Sequence, residues 1–226
     1  MRPVASSWIL SLSVLVAAVC AAAAMADDAR QSQPQITGCR IGFDGQFKVG
    51  HWTPLWVDVA DAKVDEPLQL EVTTLDNDGV EVTTPHQVAI GQPATLLYIY
   101  VGRLSAPIRV ALLTEDGRPL DREELRPGRP SGALPPCTAL PATSELVVHF
   151  GKADIGLEGA IASQDAGEGV FARHVARIRD ADALPLDWLG YDGVDVLVIT
   201  TGDATAVRRL TADDRRFAAV QRWVEL

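Results

Sequence analysis

The sequence predicts an antiparallel, immunoglobulin-like β-sandwich followed by a partial, Rossmann-like α/β unit. Three observations support this prediction. Short stretches of alternating residue type recur over residues 36–122, prolines cluster within residues 123–142, and continuous apolar runs with a helical pattern follow over residues 143–226. Alternation is typical of strands with one buried face, whereas continuous apolar runs are typical of strands buried on both faces.

The first 26 residues have the organisation of an export signal. Arg2 precedes an apolar run over residues 8–20, and Ala24 and Ala26 supply the small side chains of a cleavage site. This order is that of a secretory signal peptide. It predicts export to the periplasm or cell envelope, with cleavage after Ala26. Because the apolar stretch approaches the length of a spanning helix, the alternative is membrane attachment through an uncleaved N-terminal segment.

Residues 27–35 have no apolar pattern and are predicted to form a disordered leader. The sandwich begins at Ile36. Residue types then alternate in stretches separated by turn-forming Asp, Asn, Gly and Pro, and these stretches include residues 55–60, 68–73 and 96–101. Short strands at this spacing, with no helical stretch among them, predict about seven antiparallel strands over residues 36–122.

Residues 123–142 are predicted to be a Pro-rich interdomain linker, because neither a helix nor a central strand tolerates clustered prolines. The α/β unit follows. Its continuous apolar runs at residues 145–150 and 194–200 predict buried parallel strands. Residues 170–178 are predicted to form a third strand, and residues 155–163 are the candidate crossover helix.

A C-terminal helix is predicted from a capping box and an apolar stripe. Thr211 and Asp214 have the capping-box spacing. Phe217, Val220 and Val224 recur at helical spacing, so this stripe is predicted to pack on the sheet.

About three strands would leave at least one edge of a hydrophobic parallel sheet uncovered. The sequence therefore predicts either that an envelope or membrane protein covers this edge, or that the domain continues beyond Leu226.

Charge excludes one class of partner. The chain has a net charge of −10, and removal of the signal takes away one basic residue, Arg2, and no acidic one. Nucleic acids and anionic membrane surfaces would be repelled by such a chain. We therefore expect no nucleic-acid partner.

Two cysteines, Cys39 and Cys137, remain after signal cleavage. In an oxidising compartment, two thiols predict one disulfide. The alternative is a buried Cys39 on a strand and an unpaired Cys137 in a loop.

No metal, cofactor or catalytic set is predicted. The four histidines lack the paired spacing of a zinc site. Residues 76–79 (Asp-Asn-Asp-Gly) are predicted to form a hairpin turn rather than a calcium loop, because Gln87 stands where the loop would need a Glu. Neither a nucleophile elbow nor a dinucleotide fingerprint is present.

The only candidate site residues are Thr200, Thr201 and Asp203, which follow the apolar run at residues 194–200. The carboxyl end of a parallel strand is the usual ligand side of an α/β sheet, so these residues are weak candidates for a ligand-binding loop. For Asp203, helix capping is the expected role.

Four aromatic residues of the sandwich, Trp52, Trp56, Tyr98 and Tyr100, raise a second possibility. Aromatic faces on a shared surface could bind sugars, and core packing is the alternative use of the same side chains.

Residues 42–55, 184–198 and 220–224 resemble a group of poorly characterised bacterial envelope proteins. Those proteins have an exported β-sandwich, a glutamine-amidotransferase-like α/β domain and often a membrane helix further on. The resemblance implies that this chain is cut short. In that group Trp-Val, here Trp223 and Val224, precedes Gly-Gly and another strand, and the catalytic Cys and His-Glu pair would follow Leu226. No catalytic residue is therefore carried over.

The leading expectation is a non-catalytic interaction or scaffold module of the cell envelope. One alternative is a fragment of an amidotransferase-like or hydrolase enzyme that lacks its catalytic half. The other is a carbohydrate-binding module. Whether the chain is an enzyme stays open at this stage.

Overall fold

A computed structural model describes residues 34–60, 67–89, 91–92, 94–129, 134–165 and 172–226. The predicted signal peptide and the leader up to residue 33 lie outside these ranges. The strands are β1 (Gln35–Ile41), β2 (Gln46–Lys48), β3 (Trp52–Ala60), β4 (Leu68–Leu75), β5 (Glu81–Gln87), β6 (Thr95–Tyr100), β7 (Ile108–Thr114), β8 (Pro119–Leu125), β9 (Thr138–Leu140), β10 (Glu145–Phe150), β11 (Arg173–Ile178) and β12 (Val196–Ile199). The α-helices are α1 (Leu157–Asp165), α2 (Ala204–Ala212) and α3 (Asp214–Val224), and 3₁₀ helices cover Ala181–Ala183 and Trp188–Tyr191.

Two antiparallel sheets share the first core. Their strand orders are β1-β3-β6 and β5-β4-β7-β8. Alternate residues of facing strands, such as Leu55 and Val57 in β3 and Leu70 and Val72 in β4, are fully buried in one cluster. Each such side chain stabilises the fold by about 1.5–3 kcal/mol. The expectation of a β-rich, antiparallel fold is confirmed, and β8 runs to Leu125, past the predicted boundary at residue 122.

The predicted linker contains a paired strand. β9 pairs in parallel with β2, so that Gln46 lies opposite Thr138 and Lys48 opposite Leu140. Cys137 belongs to the first core and Leu140 to the second. The described part of residues 123–142 therefore belongs to both units rather than to a separate linker. The residues that follow Pro136 retain their backbone N–H groups and can pair with β2.

The second core lies beneath a three-stranded parallel sheet of order β11-β10-β12. Strands thus occur within the three stretches that were predicted to form them, residues 145–150, 170–178 and 194–200. Leu146, Val148 and Phe150 of the central strand β10 are buried on one face, where they join Leu184, Tyr191 and residues of α2 and α3. The crossover helix α1 follows β10, close to the predicted position.

The predicted capping box at Thr211 is wrong. Thr211 lies in the last turn of α2, where its hydroxyl donates to the carbonyls of Val207 (3.1 Å) and Arg208 (3.3 Å). Asp213 caps α3 instead, because its Oδ1 accepts from the Arg216 amide at 3.1 Å. The C-terminal segment is therefore two helices that meet at Asp213.

The predicted stripe on α3 is only partly buried. Val220 is 8% exposed, but Phe217 is 37% and Val224 71% exposed. The buried face is formed by Ala219 and Val220, and the ring of Trp223 packs 5.8 Å from that of Tyr191.

One carboxylate joins the two units. Asp195 precedes β12, and its oxygens accept from Lys48 Nζ at 2.9 and 3.0 Å. The same Oδ2 accepts from the Leu146 amide at 2.7 Å, while the Asp195 amide donates to the Leu146 carbonyl at 3.0 Å. Lys48 is 5% exposed, so its ammonium group depends on this partner.

Further contacts support the same joint. Asp192 Oδ2 accepts from the Trp52 amide at 2.9 Å and lies 3.2 Å from His51 Nδ1. The Tyr98 hydroxyl accepts from the Leu186 amide at 3.0 Å. These contacts hold the β3 and β6 side of the sandwich against the loop around the second 3₁₀ helix.

We expect Asp195→Ala to lower the free energy of unfolding by about 2 to 3 kcal/mol, because it leaves Lys48 buried without a counter-charge. The carboxylate is 39% exposed, which keeps the loss below that of a fully enclosed pair. Urea unfolding measures the change. Glu81→Ala, which removes an exposed ion pair with Arg109, is the control and should have little effect. Equal effects of the two substitutions would contradict the assignment.

Candidate functional site

The three predicted site residues do lie together at the carboxyl end of β12, and two of them make structural hydrogen bonds. The Thr200 hydroxyl donates to the Phe150 carbonyl at 3.1 Å. Asp203 Oδ1 accepts from the Thr205 and Ala206 amides, both at 3.1 Å, and so caps α2. Thr201 is exposed. The capping role that was expected for Asp203 is the one the geometry supports.

The Asp203 carboxylate is held in its charged form. Its pKa lies below the ordinary value, first because the Ala206 amide donates to it and then because the Thr205 amide and nearby Lys152 also favour the anion. Lys152 Nζ lies 3.7 Å from Oδ2. A carboxylate with a lowered pKa is a poor proton carrier at neutral pH, so this loop does not resemble an acid–base site.

Gly151 sets how closely the ends of β10 and β12 approach. Its φ is 130°, and a Cβ atom there would lie 1.9 Å from Thr200 Oγ1. Any other residue would collide with the Thr200 side chain, which donates a hydrogen bond to the Phe150 carbonyl.

His149, next to this loop, is a functional candidate that the sequence reasoning set aside. It is 1% exposed on β10, and neither ring nitrogen has a hydrogen-bond partner among the described residues. The sequence offers no reason to select His149, because the other histidines are far from it along the chain. Its charged neighbours come close to it only in the folded protein. A buried polar group without a partner needs a physical explanation.

The charged groups near His149 neutralise one another. Arg177 pairs with Asp154, with Nη2 3.1 Å from Oδ1, and also with Glu158. The Gly156 amide and then Arg177 lower the pKa of Asp154, while the hydrogen bond from Arg177 lowers that of Glu158. Both acids are therefore engaged as anions, and neither is poised to donate a proton.

The two cysteines that were expected to form a disulfide lie in the same core. Cys39 and Cys137 are both free and buried in the first core. Burial raises the pKa of Cys39 to about 12, and it raises that of Cys137 as well. Because the thiolate is the reactive form, neither thiol is activated as a nucleophile.

The four sandwich aromatics do not form one platform. Trp52 is 40% exposed and packs edge-on against Tyr100, with ring centroids 5.9 Å apart. Trp56 is 5% exposed, and Tyr98 accepts a hydrogen bond at the joint between the units. Only the Trp52–Tyr100 pair is left for a sugar.

A cleft between the two units was not anticipated. Its volume is about 670 Å³, and its walls come from β1 and the following turn, from the segment around Cys137, and from the end of β11. No sequence motif marks it, because its walls are far apart along the chain.

The two outer edges of the parallel sheet differ. On β11, the Val175 carbonyl accepts from Gln46 Nε2 of β2 at 2.9 Å. On β12, no strand of the described chain pairs with the outer side. Val196 and Ile199 of β12 are 38% and 37% exposed, and the two residues between them are half-buried. An apolar strand is therefore left at an open edge.

Residues 76–79 form the turn between β4 and β5, where Asp76 Oδ1 accepts from the Asp78 and Val80 amides at 2.9 and 2.8 Å. Within the described ranges, no group of three potential metal ligands occurs. None of the helices in that part of the chain is both long and apolar enough to cross a membrane.

Models of known protein families were compared with the sequence, and none matches; a comparison with curated protein sequences finds no match either.

We expect Asp203→Ala to lower the unfolding temperature near pH 7, because the α2 amides lose their acceptor. The folded-state pKa of Asp203 is lowered, so its contribution is present above the unfolded pKa and is lost as the pH falls through the folded value. Calorimetry should therefore show the deficit near pH 7 and its loss in acid, once the pH falls below the lowered pKa of Asp203. Asp203→Asn, which keeps a capping acceptor, is the control. A deficit unchanged by acid would contradict the charged cap.

We also expect Cys39 and Cys137 to resist iodoacetamide in the folded protein and to react fully once it is unfolded, because burial keeps them protonated. Mass spectrometry of the chain cleaved after Ala26 counts the added groups. Unfolded protein that takes up label only after reduction would establish a disulfide instead.

Proposed function

We propose that this protein is an exported, non-catalytic interaction module of the cell envelope, which binds an extended segment of a partner protein along the outer edge of β12. In this proposal, the antiparallel unit is an immunoglobulin-like sandwich and the second unit is Rossmann-like. The open edge of β12 is the single observation that carries the proposal.

An exposed apolar edge strand is unfavourable in isolation. Its unpaired backbone groups and apolar side chains favour pairing with another chain, and proteins commonly blunt such edges with charges, bulges or prolines. The other parallel edge is capped by Gln46, and β5 at an edge of the four-stranded sheet contains Pro85. Val196 to Ile199 are all apolar and contain none of these features.

The backbone geometry fits strand addition. The Asp195 amide donates inward to the Leu146 carbonyl. Because successive residues of a strand point their N–H groups to opposite sides, the Val196 amide faces outward. A partner segment would gain main-chain hydrogen bonds there, and Val196 and Ile199 would provide apolar contact.

The contact between Asp195 and the sandwich supports a role as a rigid scaffold. Asp195 lies immediately before β12 and bonds Lys48 of β2. A partner bound along β12 would therefore be coupled to the sandwich through the Lys48–Asp195 ion pair, in which Lys48 is buried. This suits a scaffold that presents one unit rigidly on another.

The local chemistry also favours binding over catalysis. At the carboxyl end of the sheet, Thr200 and Asp203 are used in structural hydrogen bonds, and Asp154 and Glu158 are paired with Arg177. The envelope location rests on the predicted signal at residues 1–26.

A second candidate is an amidotransferase-like or hydrolase enzyme, and the unpartnered His149 is the observation that favours it. Alanine substitutions at Thr200, Thr201 and Asp203 that abolish a measured hydrolase activity would support this candidate against the interaction module.

We expect Val196→Lys to abolish partner binding, because a charge on the outer edge of β12 would have to be buried against the added strand. A photo-crosslinking amino acid at the exposed Thr201 should give a discrete adduct in intact cells, and Val196→Lys should remove it.

Val82→Lys is the matched control, since Val82 is a 44% exposed valine on the edge strand β5 of the other unit. It should leave the adduct intact. Thermal unfolding should show both variants folded. An adduct that survives Val196→Lys, or that disappears in both variants, would refute binding at β12.

A further inference from the structure

We propose that the cleft between the two units binds a small organic anion with an apolar body, such as an aryl or alkyl carboxylate or phosphate. The proposal is independent of the binding edge at β12. It rests on the size, position and lining of the cleft.

The cleft has the dimensions and place of a ligand site. Its volume of about 670 Å³ is within the range of roughly 300–1,000 Å³ found for small-molecule sites. Clefts between two units are preferred positions for such sites. One wall is the end of β11, and the carboxyl ends of parallel strands are where α/β sheets bind ligands.

The floor of the cleft is apolar and largely buried. The apolar residues of its lining come from both units and from the segment before β9: Cys39, Ile41, Trp56, Leu125, Cys137 and Ile178. Such a surface gains from contact with an apolar body rather than with water.

The rim is more basic than the rest of the molecule. Arg40, Arg177 and Arg179 line it against Asp44 and Asp180. The lining has three guanidinium groups and two carboxylates, in a chain of net charge −10. It favours an anion over a cation, and one compact charge over a polyanion that the surrounding acidic surface would repel.

Two of the three arginines are available. Arg177 is committed to Asp154 and Glu158. The only ion pair of Arg40 within the described ranges is with Asp58 at 3.7 Å, and its side chain is 50% exposed, so this pair contributes little. For Arg179, no ion pair occurs among the described residues.

The Arg40 guanidinium is also preorganised. Its guanidinium carbon lies 5.8 Å from the centroid of the Trp56 ring. Stacking on an aromatic ring restricts a guanidinium while leaving its N–H edge free, which suits the planar recognition of a carboxylate or phosphate. Arg40 and Arg179 come from opposite walls, so the anion would lie between the two units.

The test is calorimetric titration of the purified protein with naphthoate, with phenyl phosphate, and with naphthylmethylammonium, which has the ring system of naphthoate and the opposite charge. We expect saturable binding of at least one anion, at one site per chain, and much weaker binding of the cation. The two anions distinguish a carboxylate site from a phosphate site.

Arg40→Gln and Arg179→Gln should each weaken binding of the anion about tenfold, because each removes a charge-assisted hydrogen bond. Arg122→Gln is the matched control, because Arg122 is an exposed arginine on β8 of the four-stranded sheet. It should leave the affinity for the anion unchanged. Asp44→Asn should leave binding unchanged or tighten it, because it removes a negative charge from the rim.

Ala183→Phe should fill the cleft and block binding while leaving the unfolding temperature near that of the unsubstituted protein, because Ala183 is only half-buried. Val196→Lys should bind the anion normally, which separates this proposal from the one for β12. No saturable binding of either anion, equal binding of the cation, or equal effects of Arg40→Gln and Arg122→Gln would overturn the proposal.

Discussion

The arrangement of both units depends on the Asp195 carboxylate. It accepts two hydrogen bonds from Lys48, whose side chain is almost fully buried, and one from the Leu146 amide. Because an ammonium group in that position is costly without a partner, Lys48 holds Asp195 against β2. The Asp195 amide meanwhile donates to the Leu146 carbonyl and so sets the start of β12 on β10. One residue therefore fixes both the approach of the units and the position of the edge strand.

Local patterns predicted most of the strands, because residue alternation and apolar runs are read within a few residues. The long-range pairings could not be predicted in this way. β2 pairs with β9 across about ninety residues of chain, and Asp195 meets Lys48 across still more. The prediction of the helix cap was wrong for a local reason. Thr211 and Asp213 are both good N-cap residues, but the Thr211 hydroxyl donates to a carbonyl of α2, and Asp213 caps α3. Sequence spacing does not decide between two good caps.

The candidate site was predicted in position and not in role. Thr200 and Asp203 are at the carboxyl end of β12 because they follow an apolar run, but which group each side chain bonds depends on where the Phe150 carbonyl and the α2 amides lie. The cleft had no sequence signal, since Arg40 lies on β1 and Arg179 follows β11, which belongs to a different sheet. Its walls come together only where the two units meet.

The two edges of the parallel sheet explain why the molecule has two different surfaces. The sandwich attaches beside β11, where Gln46 bonds the Val175 carbonyl and the cleft opens against Arg179. The sandwich therefore blunts one edge and leaves the other, β12, without a partner in the described chain. In our proposals, the small anion binds in the cleft beside β11, and the partner protein binds along β12.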